Sequence, residues 1–423
     1  MTSGVTTPAR TDYDVIVVGA RCAGAPTTML LARRGYRALL VDRAVFPKDT
    51  ISSHFVHAYG VARLARWGLL PDLLATGCPP VQVLSADWGE ITLTGTPPPY
   101  EGIDYGLCPR RYVIDHLLNE AAVRSGVDFE QGFSVTGLLS DGDRVTGVRG
   151  RRRRAGAESR ITARYVVGAD GMRSLVARTV RAPAYWTVPP LTTTYYTYFA
   201  DLPLDRLLIH WRPGRCVPAI PTHDGLTVVL SGWSRDGWRD FRADIAANFA
   251  STVDTYASPE FAERVRGARR VAPFVGHHHS ANFFRRPYGP GWALVGDAGY
   301  HKDPVTALGM SDAFRDSEFL VDALDEALSG RRPADAALAD YERRRNEAAK
   351  PLYDYTIEQA RYLPLPPERA ALLRALQHDE KNRNRFFGVL AGSVRPADFY
   401  RDPLGRADAD RTGARPAAPV HAG

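Results

Sequence analysis

The residues with the most chemical content near the start of the chain are Gly19-Ala20-Arg21-Cys22-Ala23-Gly24, between an apolar run, Tyr13–Val18, and a stretch of helical pattern. A G-x-G-x-x-G turn brings backbone against a pyrophosphate. Its first glycine makes the tight turn out of a strand, and its last lets helix and strand pack closely. The middle glycine keeps a side chain out of the phosphate's way. Here the middle position is Arg21. Arginine gives up the close approach, but its guanidinium can lie beside the anion and make charge-assisted hydrogen bonds. The helix start still supplies unpaired amides and a positive dipole end. Asp42 follows Gly24 by 18 residues, at the end of the next apolar run. A carboxylate there accepts hydrogen bonds from ribose hydroxyls. An ordinary βαβ unit that binds no dinucleotide would carry the same local pattern.

Other reactive residue types fall in a few places. Asp170-Gly171 closes an apolar run in VVGADGMRSLVAR, and Gly296-Asp297 does so in GWALVGDAGYHKDPVTALGMSDAF. The second stretch also carries His301, Lys302 and Pro304. His301 is a candidate acid or base by position. His54, in DTISSHF, either contacts a ligand or caps the following helix. His277-His278-His279 invites a metal reading, but a strand points consecutive side chains to opposite faces, and no cysteine or carboxylate is close by. A polar strand end is expected there, and no metal. Cys22, Cys78, Cys108 and Cys216 have neither metal-ligand spacing nor a disulfide framework.

These residues need elements to position them. Tyr13–Val18, a helix from about Gly24 to Arg34 and Ala38–Val41 form β-α-β, with Gly35 as the helix stop. A polar loop and a helix ending at Trp67-Gly68 follow. Residues 79–106 read as β, PRRYVIDHLLNEAAVRSG as helix, Val127–Asp141 as strand and turn, and Tyr165–Val167 as a short strand. Residues 185–235 show period-two runs such as TTTYYTYFADL. Trp292–Val295 reads as a buried strand, about Val305 to Leu328 as a helix, and 335–400 as mostly helical. The polar tail after Arg401 reads as disordered. The fold class is α/β: a Rossmann-like domain with a parallel sheet, a β-rich domain and a helical C-terminal segment.

Composition limits the function classes. The 423 residues carry a net charge of +7, yet only four basic residues are lysine (Lys48, Lys302, Lys350 and Lys381). Such an arginine skew points to coding bias rather than nucleic-acid binding. The dense run Arg149–Arg154 is expected at a solvated hairpin tip. No apolar stretch is long enough to span a membrane, and the N-terminus lacks a secretory core. A cytoplasmic protein is expected.

Together, the three motifs resemble the class A flavoprotein monooxygenases, the p-hydroxybenzoate hydroxylase-like superfamily that also holds flavin-dependent halogenases and geranylgeranyl reductases. The resemblance covers about residues 12–345. It implies FAD, bound non-covalently, with the Rossmann-like domain as its site and the β-rich domain as the substrate site. The implied FAD domain is 1–75, 106–180 and 276–345. The implied substrate domain is 76–105 and 181–275, and 346–400 would be a C-terminal helical segment before a tail at 401–423.

Roles follow by position. Gly19, Arg21, Cys22, Ala23 and Gly24 would line the pyrophosphate, with Asp42 and Arg43 after the second strand. Ser53 and His54 would lie in a flavin-contacting loop. Arg111 would contact FAD from a helix start, and Val135 would meet adenine through its backbone. Asp170-Gly171 would be the turn linking the flavin and pyridine-nucleotide sites. Gly296 would cover the pyrophosphate, and Asp297 would accept from a ribitol hydroxyl. Pro304 would lie near the ring, facing amides of Leu308, Gly309 and Met310. Lys302 would favour the anionic reduced ring. Three departures stand out: Arg21 for glycine, Asp42 for glutamate, and Ala307-Leu308-Gly309 for G-x-G. The GARCAG and GDAGxHKDP patterns are similar to those of a subgroup of the superfamily.

Only one dinucleotide unit is present, so NAD(P)H would visit transiently or a flavin reductase would deliver reduced flavin. The resemblance implies hydroxylation or epoxidation of an aromatic or polyketide-like small molecule with O2, through a flavin C4a-hydroperoxide. Halogenation and carbon-carbon double-bond reduction are the alternatives, and a non-catalytic flavin-binding protein is a third. The halogenase W-x-W-x-I-P signature is not matched by His210-Trp211-Arg212-Pro213, and the reductase Y-x-W-x-F-P-K motif is not found. In TTTYYTYFADL, alternation places Tyr196 and Tyr198 on one face and Tyr195 and Phe199 on the other.

Overall fold

A computed structural model describes residues 12–153, 158–278 and 280–404. Arg154, His279 and most of the polar tail lie outside the described residues. The first sheet grows from the β-α-β unit, with strand Tyr13–Val18, helix Gly24–Arg33 and strand Ala38–Asp42. Val15, Ile16 and Val17 are fully buried, which suits a strand covered on both faces. Around it lie Trp292–Leu294, Glu158–Gly168, Tyr13–Val18, Ala38–Asp42 and Asp128–Gln131, in that order and all parallel. Glu158–Gly168 is longer than the expected Tyr165–Val167 because its first half pairs antiparallel with Arg144–Arg152. The sheet's parallel order carries three strand ends, Val18, Gly168 and Leu294, to one edge. The three glycine-bearing loops follow directly.

The second sheet runs Arg269–Arg270, Thr192–Ala200, Thr227–Ser234, Arg215–Pro221, Arg206–Arg212, Val83–Asp87, Thr92–Gly95. One face carries Tyr196, Tyr198, Ile209 and Trp211 and packs on Phe55 and on the C-terminal Tyr355, Tyr362 and Phe387. The other carries Tyr195, Phe199 and Val217 and packs on Phe241, Phe249 and Phe261. Those last three belong to helices Trp238–Ala243, Ile245–Tyr256 and Pro259–Gly267, which close the far side of the sheet. Four helices, Ala334–Ala360, Pro367–Gln377, Glu380–Ala391 and Pro396–Arg401, make up the C-terminal region. The first of them runs unbroken through the expected boundary at 345 and 346.

One helix starts later than its pattern suggests. Helix Gly309–Leu328 is preceded by a 3-10 turn, Pro304–Thr306, capped by Asp303, whose side chain accepts from the Val305 amide at 3.1 Å. Ala307 then turns left-handed, at φ 53°. That reversal separates Val305 from the helix. No helix of the described residues is long and apolar enough to cross a membrane.

Candidate flavin site

The three loops meet at positions where only glycine fits. Gly19 sits at φ +107°, and a Cβ there would lie 2.4 Å from the Ala169 carbonyl oxygen. A Cβ on Gly24 would lie 1.8 Å from the Gly19 carbonyl oxygen. Gly296, at φ +60°, would bring a Cβ within 2.7 Å of the Ala23 Cβ. Ser317 closes the set by donating to the Ala23 carbonyl at 3.0 Å. So the loops after the three central strands are packed onto one another. Above them the helix Gly24–Arg33 begins with no side-chain cap, so its positive dipole end is open to an anion, although the Ala25 amide is already spent on the Arg21 carbonyl at 3.0 Å.

Arg21 does not project freely from this turn. Its Nη1 donates to Asp115 Oδ2 at 2.6 Å and reaches the Lys48 carbonyl at 3.4 Å. Asp115 is fully buried and also accepts from Arg111 Nη2 at 3.0 Å and from the Cys22 thiol at 3.3 Å. Two guanidiniums share one carboxylate, so a net positive charge remains beneath the pyrophosphate turn. Burial opposes the charge on Arg111, but Asp115 holds its pKa above the ordinary value, and exposed Asp297 adds to the effect. Asp115 escaped the sequence reading, although an Arg-x-x-x-Asp spacing on helix Arg111–Arg124 is a visible ion-pair signal.

Asp42 accepts from the Ala20 amide at 2.8 Å and the Ala44 amide at 2.7 Å, so its carboxylate ties the turn to the second strand. Asp170 Oδ2 caps helix Leu175–Thr179 through the Leu175 amide at 2.6 Å, while its buried Oδ1 has no partner. Burial raises the Asp170 pKa. Gly171 takes the positive φ that the turn after it needs, at +78°. Val135 lies on strand Phe133–Asp141 at a register shift. Arg43 is exposed and Ser53 half-buried. Asp297 is exposed at the mouth of the third loop.

The loop from His301 to Met310, expected at the ring end, is held from several sides. His301 Nδ1 lies 2.6 Å from the Ala281 carbonyl, which it must reach as a donor. Asp303 accepts from the Thr192 hydroxyl at 2.7 Å, fixing the loop to the second sheet, and burial raises its pKa to about 6. Helix Gly309–Leu328 starts without a side-chain cap. Leu308 and Met310 are buried, whereas Gly309 is exposed and a Cβ there would meet nothing. Half-buried Pro304 lies on the turn just before. His57, also missed in the sequence, pins this loop. Its Nε2 donates to the Thr306 carbonyl at 3.0 Å and its backbone amide donates to Ser311 Oγ at 3.0 Å.

Lys302 borders the same small cavity as Gly296, Asp297 and Gly309, with its ammonium tied to buried partners. Its ammonium is buried against Asp312 and the Tyr300 hydroxyl, the latter at 2.5 Å. Asp312 also accepts from Arg315 at 2.7 Å and Tyr59 at 2.8 Å. Burial lowers the Lys302 pKa, and its partner's charge opposes that. Burial pushes Asp312 up, but Arg315 and Lys302 outweigh it and leave its pKa at about 2. His54 is buried with its Nε2 2.7 Å from the Tyr198 hydroxyl.

FAD fits the residues that are present: two uncapped helix starts face the two ends of a cradle that side chains would fill, a spare positive charge lies under the phosphate turn, and an unpaired carboxylate oxygen waits at Asp170. This fold and cradle define an FAD-dependent oxidoreductase. The chain belongs to the FAD-binding domain family, whose profile matches residues 12–356. It is a member of the class A flavoprotein monooxygenase-like superfamily, with halogenases and reductases among its relatives. A kynurenine 3-monooxygenase of Salinispora arenicola is 28% identical over 80% of this chain and 78% of its own. A digeranylgeranylglycerophospholipid reductase of Methanocella arvoryzae is 23% identical over 80% of this chain and 84% of its own. The myxobacterial chondrochloren halogenase shares the fold with a TM-score of 0.76 at 23% identity, covering 96% of this chain and 98% of that one.

Proposed function

We propose that this protein is an FAD-dependent monooxygenase that uses NAD(P)H and O2 to hydroxylate or epoxidise an aromatic or polyketide-like small molecule. The observation that carries the reading is the pair of uncapped helix starts at the two ends of the cradle. FAD, when bound, supplies hydride acceptance and oxygen activation. The residues supply the rest. Arg21, Arg111 and the backbone of the turn from Gly19 to Gly24 would hold the pyrophosphate. Asp297 accepts from a ribitol hydroxyl. The amides of Leu308, Gly309 and Met310 would stabilise the negative charge that the bound flavin gains on reduction. The face with Tyr196 and Tyr198 roofs the substrate and excludes water.

Lysine placement supports this reading over halogenation. Lys302 is bound to buried Asp312, Lys350 pairs with Asp354 at 2.6 Å, and Lys48 and Lys381 are exposed. None of them stands as a free ammonium between ring and substrate sheet. The test is turnover of the FAD-loaded protein with NADH or NADPH, O2 and a panel of phenols and polyketides, read by product mass. A product heavier by one oxygen atom supports the reading. Products that need halide, or that gain two hydrogens without O2, would overturn it in favour of halogenation or double-bond reduction.

A further inference from the structure

We infer that His54 and Tyr198 form a hydrogen-bonding pair that selects substrates bearing a hydroxyl, or its anion, at the position they face. The inference rests on the substrate-pocket reading above for its purpose and on geometry for its location. His54 ends the DTISSHF loop with a left-handed backbone, φ 61°, rarely adopted by a residue with a side chain. Its amide donates to Ser52 Oγ at 3.0 Å, which holds the turn. The imidazole is completely buried. Its Nε2 lies 2.7 Å from the Tyr198 hydroxyl, and its ring meets Tyr196 edge-on at 5.2 Å. The Arg110 guanidinium sits 4.0 Å from the centre of the Tyr198 ring and is anchored to Asp49 at 3.2 Å.

Proton counting shows what the pair has to spare. A neutral imidazole and a phenol carry one N–H and one O–H between them, and the contact uses one. If Tyr198 donates to Nε2, the Nδ1–H is unspent. If Nε2 donates, the Tyr198 O–H is unspent. His54 Nδ1 has no partner in the structure, and neither does buried Arg110 Nε. Either tautomer therefore leaves a buried donor without an acceptor, an arrangement that costs stability unless a ligand completes it. Burial, with Arg111 and Arg110 nearby, holds the His54 pKa at about 3, so the imidazole stays neutral and this count applies at working pH.

The surroundings say what the ligand is. Tyr196 and Tyr198 lie on the sheet face packed by Val305 and Ala307 of the flavin loop, and His54 feels the charge of Arg111 in the dinucleotide cradle. The unspent donor therefore lies between cofactor cradle and substrate sheet. Two arginines bias it toward an acceptor with negative charge. A hydroxyl that ionises on an aromatic or enolic ring meets both demands. An apolar ring meets neither.

The test uses the FAD-loaded full chain and two probes of matched shape, 2-naphthol and 2-methylnaphthalene, titrated by perturbation of flavin absorbance. The parent should bind 2-naphthol tighter by about tenfold, the scale of one buried hydrogen bond. The double variant His54→Gly with Tyr198→Phe should bring the two probes to within about twofold, because both donors are gone while glycine keeps the left-handed turn; each single variant keeps one N–H or O–H and should keep part of the preference. Arg110→Gln should raise the pKa of bound 2-naphthol, read from its fluorescence. Equal affinities in the parent, no binding of either probe, or a preference that survives the double variant in full would overturn the inference. Failure of the parent to take up FAD would instead overturn the flavin reading, so the two failures are distinct.

Discussion

Gly24 and Gly309 both begin helices, and the surroundings give them opposite jobs. A Cβ at Gly24 would collide with the Gly19 carbonyl at 1.8 Å, so this glycine is demanded by the protein itself. A Cβ at Gly309 would meet nothing, so the protein makes no demand there. Gly24→Ala is expected to lower stability by about 1–3 kcal/mol and FAD affinity by about tenfold or more, since the loop must shift. Gly309→Ala should leave the cofactor-free protein as stable or up to about 1 kcal/mol more stable, through helix propensity. With FAD bound, the added methyl should crowd the ring and change its reduction potential. Denaturation of the cofactor-free variants and redox titration of the loaded ones check both halves. A parental potential in Gly309→Ala would place the ring away from this helix start. Arg21 teaches a related lesson. A side chain at the middle of the turn is accommodated because a buried carboxylate, Asp115, draws it aside and balances it.

At the scale of elements, the ring-end loop is fastened from below by an ionic knot. Asp312, on the first turn of helix Gly309–Leu328, gathers Lys302 from the loop, Arg315 from its own helix and Tyr59 from helix Ala58–Arg66. Breaking a buried ion pair by removing one partner leaves an uncompensated charge, and here Asp312→Asn strands Lys302 while Arg315 keeps Asp316 at 2.8 Å. The variant should lose about 3–5 kcal/mol. The pH dependence has a definite sign. The Asp312 pKa in the folded state, about 2, lies below that of an ordinary carboxylate, about 4. Its contribution is complete above pH about 4 and is lost as pH falls from there toward 2. Urea denaturation between pH 2 and 6 should show this acid-limb slope in the parent and a shallower one in Asp312→Asn. Equal slopes would mean that the knot adds nothing to folding.

Across the whole molecule, helix Ala334–Ala360 joins parts that are far apart in sequence. Arg345, almost fully buried, donates to the Gly299 carbonyl at 3.2 Å, the Arg285 carbonyl at 3.0 Å and the Tyr185 hydroxyl at 2.7 Å. Tyr341 donates to the Leu294 carbonyl at 2.9 Å, just before the third glycine loop, and Tyr353 donates to the Trp186 carbonyl at 2.6 Å. This helix thus locks the flavin sheet to the small sheet of Ala184–Val188, Asn282–Arg285 and Tyr300–His301. Arg345→Ala strips several buried acceptors of their donor and should cost about 2–4 kcal/mol. Thermal unfolding followed by both flavin fluorescence and far-ultraviolet circular dichroism should show FAD leaving before the fold melts. Coincident transitions at the parental temperature would refute that role.

The β-α-β unit, its glycines, the alternation in Thr192–Ala200 and the order of the three loops were legible from sequence. Each depends on local periodicity or on the freedom of glycine to take a positive φ, and both are properties of neighbouring residues. The helix at 309–328 was legible in its body but not at its start, because the left-handed turn at Ala307 is set by Asp303 and by the sheet that Asp303 grips. What no local pattern could supply was the partner of each charge. Arg21 meets Asp115 from 94 positions away, and His54 meets Tyr198 from 144. Lys302 meets Asp312 across a reversed turn only 10 positions away. A charged side chain's partner depends on which strand ends and helix starts the topology brings together and on how much water they exclude. Sequence therefore placed these residues in or beside three motifs that resemble a nucleotide cradle. Only the tertiary structure decided that Lys302 is tied to Asp312, that Arg21 shares a buried carboxylate, and that the His54–Tyr198 pair keeps a donor to spare.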